Sequence, residues 1–212
     1  MDSLLTTLVL QFCAIIIGVS KAGFGGGTGI LVTPLMALVL PAKTAVGVML
    51  PLLLACDVFS LFYYWNRWDR RNLMAILPGA LLGIILGTKI LSLLSEEYFK
   101  KTIGIIACIF AILELIRGRL TKAEFKFESR VWHGTIAGFA TGTASTLAHI
   151  GGAITFMYLL PQKLPNRTFV GTTTALYFTL NAIKLLPYWK LGMLTTPGLL
   201  MDLRLLPAIL VG

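Results

Sequence analysis

Two stretches of this chain spell one pattern at a separation of 124 residues. Leu40-Pro41-Ala42-Lys43-Thr44-Ala45-Val46-Gly47 returns as Leu164-Pro165-Asn166-Arg167-Thr168-Phe169-Val170-Gly171. The spacing holds without a gap in both directions. Upstream it pairs Gly18 with Gly142, Gly27 with Gly151 and Ile30 with Ile154; downstream it pairs Asp57 with Asn181, Tyr64 with Tyr188 and Trp65 with Trp189. A chain written this way is expected to fold as two related units. Each unit opens with a glycine-interrupted apolar segment, the sequence pattern that points to a binding site between the repeats of a membrane carrier.

The solvent these units expect is lipid. Charged residues make up 13% of the 212 and hydrophobic ones 57%, with a mean hydropathy of +0.85. A soluble domain carries about 25% charged residues. The apolar runs are long enough to cross a hydrocarbon core of about 30 Å. The chain is therefore read as an all-α, polytopic membrane protein. Its net charge of +9 lies mainly in short connections between apolar runs, where Lys and Arg anchor cytoplasmic loops, so nucleic acid is not an expected partner. Cys13, Cys56 and Cys108 have neither metal-ligand spacing nor a disulfide framework, and read as buried free thiols. Met1-Asp2-Ser3 lacks the basic start of a cleavable signal, so the first apolar run is expected to be retained.

Residues 42–65, 73–94, 99–116 and 168–189 each predict one membrane helix. The first repeat covers residues 1–117, a basic linker 118–130, and the second repeat 131–212. Both openings differ from simple spans. Residues 4–40 are apolar throughout but broken at Gly23-Phe24-Gly25-Gly26-Gly27-Thr28-Gly29, and 132–160 are broken at Ala148-His149-Ile150-Gly151-Gly152. Each is too long for one span of about 20 residues and too short for two with a turn. Two half-helices meeting inside the membrane are expected, because irregular backbone survives at that depth only beside protein or a wet cavity. Placing the basic loops 66–72 and 117–130 inside, a re-entrant opening brings Lys163 and Arg167 inside as well, a better positive-inside score than a full crossing. It leaves an odd number of spans per repeat, so the repeats are expected to be inverted. The second copy looks shorter than the first. Residues 205–211 are too few to cross a bilayer, which predicts one further span of roughly 20 residues beyond 212.

The glycine-rich first break, the duplicated Leu-Pro-x-Lys/Arg-Thr-x-Val-Gly motif and the doubled hydrophobic layout resemble the TauE/SafE family of sulfite exporters, over residues 8–189. The resemblance implies a carrier of about eight hydrophobic segments in two homologous halves, handling sulfite, sulfonates or related organosulfur anions, in a prokaryotic inner membrane. The second break departs from the first: His149, Ile150 and Gly151 stand where Gly25, Gly26 and Gly27 stand, followed by Gly152. The two half-sites are therefore chemically unequal.

Gly25, Gly26, Gly27 and Thr28 would expose amide N–H groups at the start of one helix, and Gly151 and Gly152 at the start of another. Helix N-termini carry partial positive charge and bind anions. Close helix packing is the alternative. Asp57, deep in an apolar run, needs a partner, a cavity or a proton, and is the candidate proton-coupling carboxylate. Asn181 and Lys184 share one helix face, with Lys184 facing an anion or else reaching for headgroups. His149 at the second break is a candidate anion donor or proton relay. Lys21 either attracts anions or pairs with Asp57. Thr172, Thr173 and Thr174 line a polar path or bond their own helix, and His133 reads as structural. Trp65, Trp68, Trp132 and Trp189 sit at segment ends, as an interfacial belt does.

No catalytic constellation, metal cluster or phosphate loop is present in the sequence, so an enzyme is not expected and no cofactor or metal is called for. The expected function is secondary transport of a small sulfur-containing anion by alternating access, with proton coupling at Asp57. The expected partners are that anion and membrane lipid, with a homodimer as a further option. A divalent metal-cation carrier, a channel and a structural membrane subunit are the alternatives.

Overall fold

The computed structural model describes residues 3–24, 29–120 and 130–211. They form helices α1 (Ser3–Phe24), α2 (Gly29–Val39), α3 (Ala42–Tyr63), α4 (Arg70–Leu93), α5 (Glu96–Leu120), α6 (Val131–Ala148), α7 (Gly151–Leu159), α8 (Asn166–Lys190) and α9 (Thr196–Val211), with a short 3₁₀ turn at Leu160–Gln162. Leu4–Lys21 within α1, together with α3 and α4, are each long and apolar enough to cross a membrane. Polarity is inside out relative to a soluble domain. Leu82, Ile85, Ile105, Ile109 and Leu115 face outward, while Lys21, Asp57, Thr172, Asn181 and Lys184 are buried. Such an arrangement suits lipid outside and a polar site within.

The openings break where glycine and histidine interrupt the apolar runs, but not into equal halves. α1 has 22 residues and α6 has 18, whereas α2 has 11 and α7 has 9. The long arms persist because nothing before Gly23 or Ala148 stops a helix. The short arms rise only about 16 and 14 Å at 1.5 Å per residue, roughly half a bilayer. α4 starts at Arg70, ahead of the expected 73, because Asp69 caps it by accepting from the Asn72 N–H at 2.7 Å. α5 runs to Leu120, into the expected linker; residues 121–129 of that linker lie outside the described residues.

Two packing arrangements position the centre. α3 and α8 run antiparallel: Gly47 lies beside Met193, Asp57 is bonded to Asn181, and Arg67 lies beside Gly171. α4 and α6 run parallel and in near backbone contact. Gly138 faces the Ile76 carbonyl, Gly142 the Ala80 carbonyl, and Gly83 the Phe139 carbonyl. Small residues permit that approach, and packing contact rather than hydrophobic transfer holds helices together in lipid. The pairing of α4 with α6 is answered by α9 with α1, and that of α4 with α8 by α9 with α3. Shifting by 124 residues exchanges the members of each set.

Candidate functional site

The ends of α1 and α6 meet the middles of α3 and α8. Lys21, in the last turn of α1, forms a buried ion pair with the Asp57 carboxylate of α3. The other Asp57 oxygen accepts from Asn181 Nδ2 at 2.6 Å. Asp57 is thus paired with its own counterpart in the second repeat. Lys21 also lies over the Tyr177 ring at 4.9 Å, a cation–π contact. The charge-pairing alternative for Lys21 is the one the geometry realises.

Lys184, one turn beyond Asn181 on α8, is fully buried. Its ammonium donates to the Ser145 carbonyl oxygen at 3.1 Å and to Ser145 Oγ at 2.9 Å, and it lies 3.2 Å from His149 Nδ1. These partners are neutral. The ion pairs among the described residues are Lys21–Asp57 and the surface pair Lys101–Glu97, so Lys184 has no carboxylate. It does not snorkel to the headgroups.

His149 ends α6 in the left-handed conformation, φ 55°, a position that glycine usually takes. The turn aims the ring between two elements. Nε2 lies 3.1 Å from the Val46 carbonyl oxygen and Nδ1 faces Lys184. A carbonyl only accepts, so Nε2 carries the hydrogen, and Nδ1 is left to accept from the ammonium. Both ring nitrogens are therefore engaged, and the ring holds Lys184 in place rather than presenting a spare N–H. Thr33 of α2 locks the same junction, donating to the Ala148 carbonyl at 2.5 Å.

A cavity of about 20 Å³ lies at this junction, lined by Lys21, Gly29, Ser145, His149, Gly152 and Asn181. Leu53 and Tyr177 close it. The space suffices for about one water molecule. Gly29 opens α2 and Gly152 is the second residue of α7, so the starts of both short helices border it. First-turn N–H groups have no acceptor within their own helix. Gly151 packs on α6 beside Thr141 and Ser145. Lys184 stands one layer behind, reached through Ser145 and His149.

The structure thus brings together Asp57, Asn181, Lys184, His149 and Gly152 among the sequence candidates. Gly25, Gly26, Gly27 and Thr28 lie outside the described residues. Two of the three threonines turn to backbone or loop: Thr172 donates to the Thr168 carbonyl at 2.6 Å and accepts from the Asp69 N–H at 2.8 Å, and Thr173 donates to the Val170 carbonyl at 3.0 Å; the buried Thr174 hydroxyl has no hydrogen-bond partner among the described residues. His133 accepts from the Arg130 N–H at 3.1 Å at the start of α6. Ser145, Tyr177 and Leu53 were not anticipated. The offset of 124 held the signal: it carries Lys21 to Ser145 and Leu53 to Tyr177, and all four line the cavity. Among the described residues no group of three or more His, Cys, Asp or Glu is placed to hold a metal ion.

The cluster holds two lysines and one carboxylate, with His149 neutral by its hydrogen bonds. Compared with known proteins, residues 10–212 match the model of a family described as "Sulfite exporter TauE/SafE". No curated protein matches the chain, and no solved structure does.

Proposed function

The chain belongs to the TauE/SafE family of sulfite exporters, and from that premise we propose that it is a secondary carrier of small sulfur-containing anions, sulfite or sulfonates among them. It works by alternating access around the cavity between its repeats, in a prokaryotic inner membrane. The observation that carries this reading is Lys184, a lysine whose side-chain nitrogen is fully buried in the helical core with neutral hydrogen-bond partners only. A buried cation is costly without a counter-charge. A substrate anion supplies one, replacing Ser145 and His149 as the acceptor, while the open N-termini of α2 and α7 add donors.

An inverted relation between the repeats is part of the proposal. It is supported by the antiparallel run of the counterparts α3 and α8, and by the bond between Asp57 and Asn181. A residue that touches its own counterpart lies where a two-fold relating the copies passes. The contact of α1 with α9, matching that of α6 with α4, fits the same relation. Re-entry of α2 and α7 is supported by their half-bilayer length. The present cavity admits a water but not a four-atom oxyanion, so binding requires α1–α2 or α6–α7 to move at the breaks. Such discontinuous helices supply the gating elements of other carriers.

Proton coupling requires Asp57. Protonating it would release Lys21 and raise the cluster's charge by one, favouring anion entry from the acidic side. A metal-cation carrier would instead need acidic or sulfur ligands gathered at the site.

The test is transport by the purified protein in liposomes. Saturable uptake of radiolabelled sulfite, accelerated by unlabelled sulfite or methanesulfonate on the other side, is the expected result. Linear, unsaturable flux would identify a channel. Uptake of divalent cations with no anion movement would overturn the anion reading.

A further inference from the structure

A second carboxylate is buried away from the anion cavity. Asp202, on α9, is 6% exposed, and neither carboxylate oxygen has a hydrogen-bond partner among the described residues. It lines a cavity of about 280 Å³ between α3 and α9, whose other walls are Pro51, Leu52, Ala55, Leu199, Leu203 and Leu206. α9 runs parallel to α3 here, because Gly198 meets Val48 one turn before Asp202 meets this wall. Pro51 precedes Asp57 by six residues, about 9 Å along a helix, so Asp202 lies near the depth of the central cluster.

The neighbouring charges are all turned elsewhere. α9 packs on α1 and α3. From α1, the Lys21 ammonium is taken by Asp57, and Cys13 is a buried thiol. From α3, Cys56 is a thiol, Asp57 faces Lys21 and Asn181, and Lys43 lies two turns before Pro51. On α9 itself, Arg204 lines a different groove with Thr6 and Gln11. None of these groups lines the Asp202 cavity.

An ionised carboxylate in such a place has no donor and no counter-charge, which membrane interiors penalise heavily. A metal cation is no remedy, since a hard cation needs about six oxygen ligands and the walls are hydrocarbon. The neutral acid fits both the walls and the depth. We propose that Asp202 is a proton-binding site, protonated in this conformation, that exchanges its proton with water during the transport cycle. No other bond forms or breaks. The coupling half of this proposal rests on the carrier reading above; the proton site itself does not.

Infrared spectroscopy of the full chain in lipid nanodiscs at neutral pH tests the site. The C=O stretch of a protonated carboxylic acid is expected in the wild type, lost in Asp202→Asn and kept in Asp57→Asn. A band unchanged by Asp202→Asn overturns the proposal. Liposomes containing a pH-sensitive dye test the coupling, with methanesulfonate as probe because it remains a monoanion and carries no proton itself. Proton movement driven by methanesulfonate is expected to vanish in Asp202→Asn and return in Asp202→Glu, while methanesulfonate exchange stays measurable. Proton movement that survives in Asp202→Asn overturns the coupling. A wild type that moves neither methanesulfonate nor sulfite overturns the carrier reading, and the infrared band still decides the proton site.

Discussion

Replacing Lys184 by methionine separates the cost of burying an ammonium from its value in binding. In the ligand-free protein the substitution strands Ser145 Oγ and His149 Nδ1, a loss of about 1–3 kcal/mol for each unsatisfied group. It also removes the desolvation of an ion that no carboxylate compensates, a gain of several kcal/mol. The two offset, so Lys184→Met is expected to unfold within about 2 kcal/mol of the wild type. Binding changes in one direction only. A charge-assisted hydrogen bond contributes about 1.5–3 kcal/mol, so its loss weakens the anion roughly ten- to a hundredfold. At an anion concentration of 100 times Kd, the wild type gains about 2.7 kcal/mol, and a hundredfold weaker variant about 0.4 kcal/mol. At about 2–4 °C per kcal/mol for a chain of this size, the sulfite-induced rise in Tm falls from about 5–11 °C to about 1–2 °C. Thermal unfolding followed by tryptophan fluorescence, with and without sulfite, measures both numbers. A variant that melts like the wild type and keeps the full sulfite shift refutes Lys184 as the anion's counter-charge.

Removing Lys21 alone leaves Asp57 charged and unpaired, so Lys21→Met is expected to cost about 3–5 kcal/mol; Lys21→Met with Asp57→Asn should recover most of it, which a double-mutant cycle of melting curves checks. Asp57→Asn fixes the uncharged state that wild-type Asp57 reaches as pH falls, so pH-driven accumulation should vanish while sulfite binding remains, and unchanged accumulation would sink its coupling role. A methyl at Gly29 runs into the His149 carbonyl, so Gly29→Ala should destabilise by about 1–3 kcal/mol. Gly104 has open space around it, and Gly104→Ala should stabilise by up to about 1 kcal/mol; comparable melting of the two variants would count against the tight junction. In a Cys108→Ser background, cysteines at Lys43 and Lys163 should react with a membrane-impermeant maleimide from opposite faces, since α3 and α8 start at opposite ends. Labelling from one face would refute the inverted arrangement.

The repeat and its breaks were legible because they rest on residue types with few physical substitutes. Glycine runs and a left-handed turn interrupt helices, and an offset fixed by proline and glycine carries Asp57 onto Asn181. That the pair would be hydrogen-bonded follows once the two copies pack face to face through α3 and α8. The unequal arms of the openings were not legible, because an apolar stretch carries no mark for where membrane depth ends. Lys184 was visible as an oddity but its partners were not. Ser145 is one of several small polar residues on α6; the offset from Lys21 marks its position, and the meeting of α6 with α8 shows what it bonds. Asp202 escaped because it stands in a short apolar run beside Arg204, and only packing shows that the two line different grooves of α9.

The differences between the repeats carry the chemistry that their likeness cannot. Under the proposed inverted relation, identical copies near the two-fold would set each charged residue against itself. A second aspartate at 181 would bring two carboxylates within bonding distance, where both cannot stay ionised. Asn181 keeps the shape and supplies the donor that Asp57 accepts. A second lysine at 145 would crowd Lys184, and Ser145 offers it two oxygens instead. Lys184 has no cationic counterpart either, since the offset carries it to Ser60. The sum is two lysines against one carboxylate, and the proposed anion site rests on the surplus positive charge this gives when both lysines are protonated. Asn181→Asp tests this reasoning with almost no change of volume. If the new carboxylate ionises it cancels the surplus; if it shares a proton with Asp57 it removes the amide donor without adding charge. The first outcome should abolish the sulfite-induced rise in Tm at high pH and restore part of it at low pH, where one carboxyl is protonated. A sulfite shift equal to the wild type's at a pH where infrared spectra show both carboxylates ionised would show that the surplus charge is not what draws the anion.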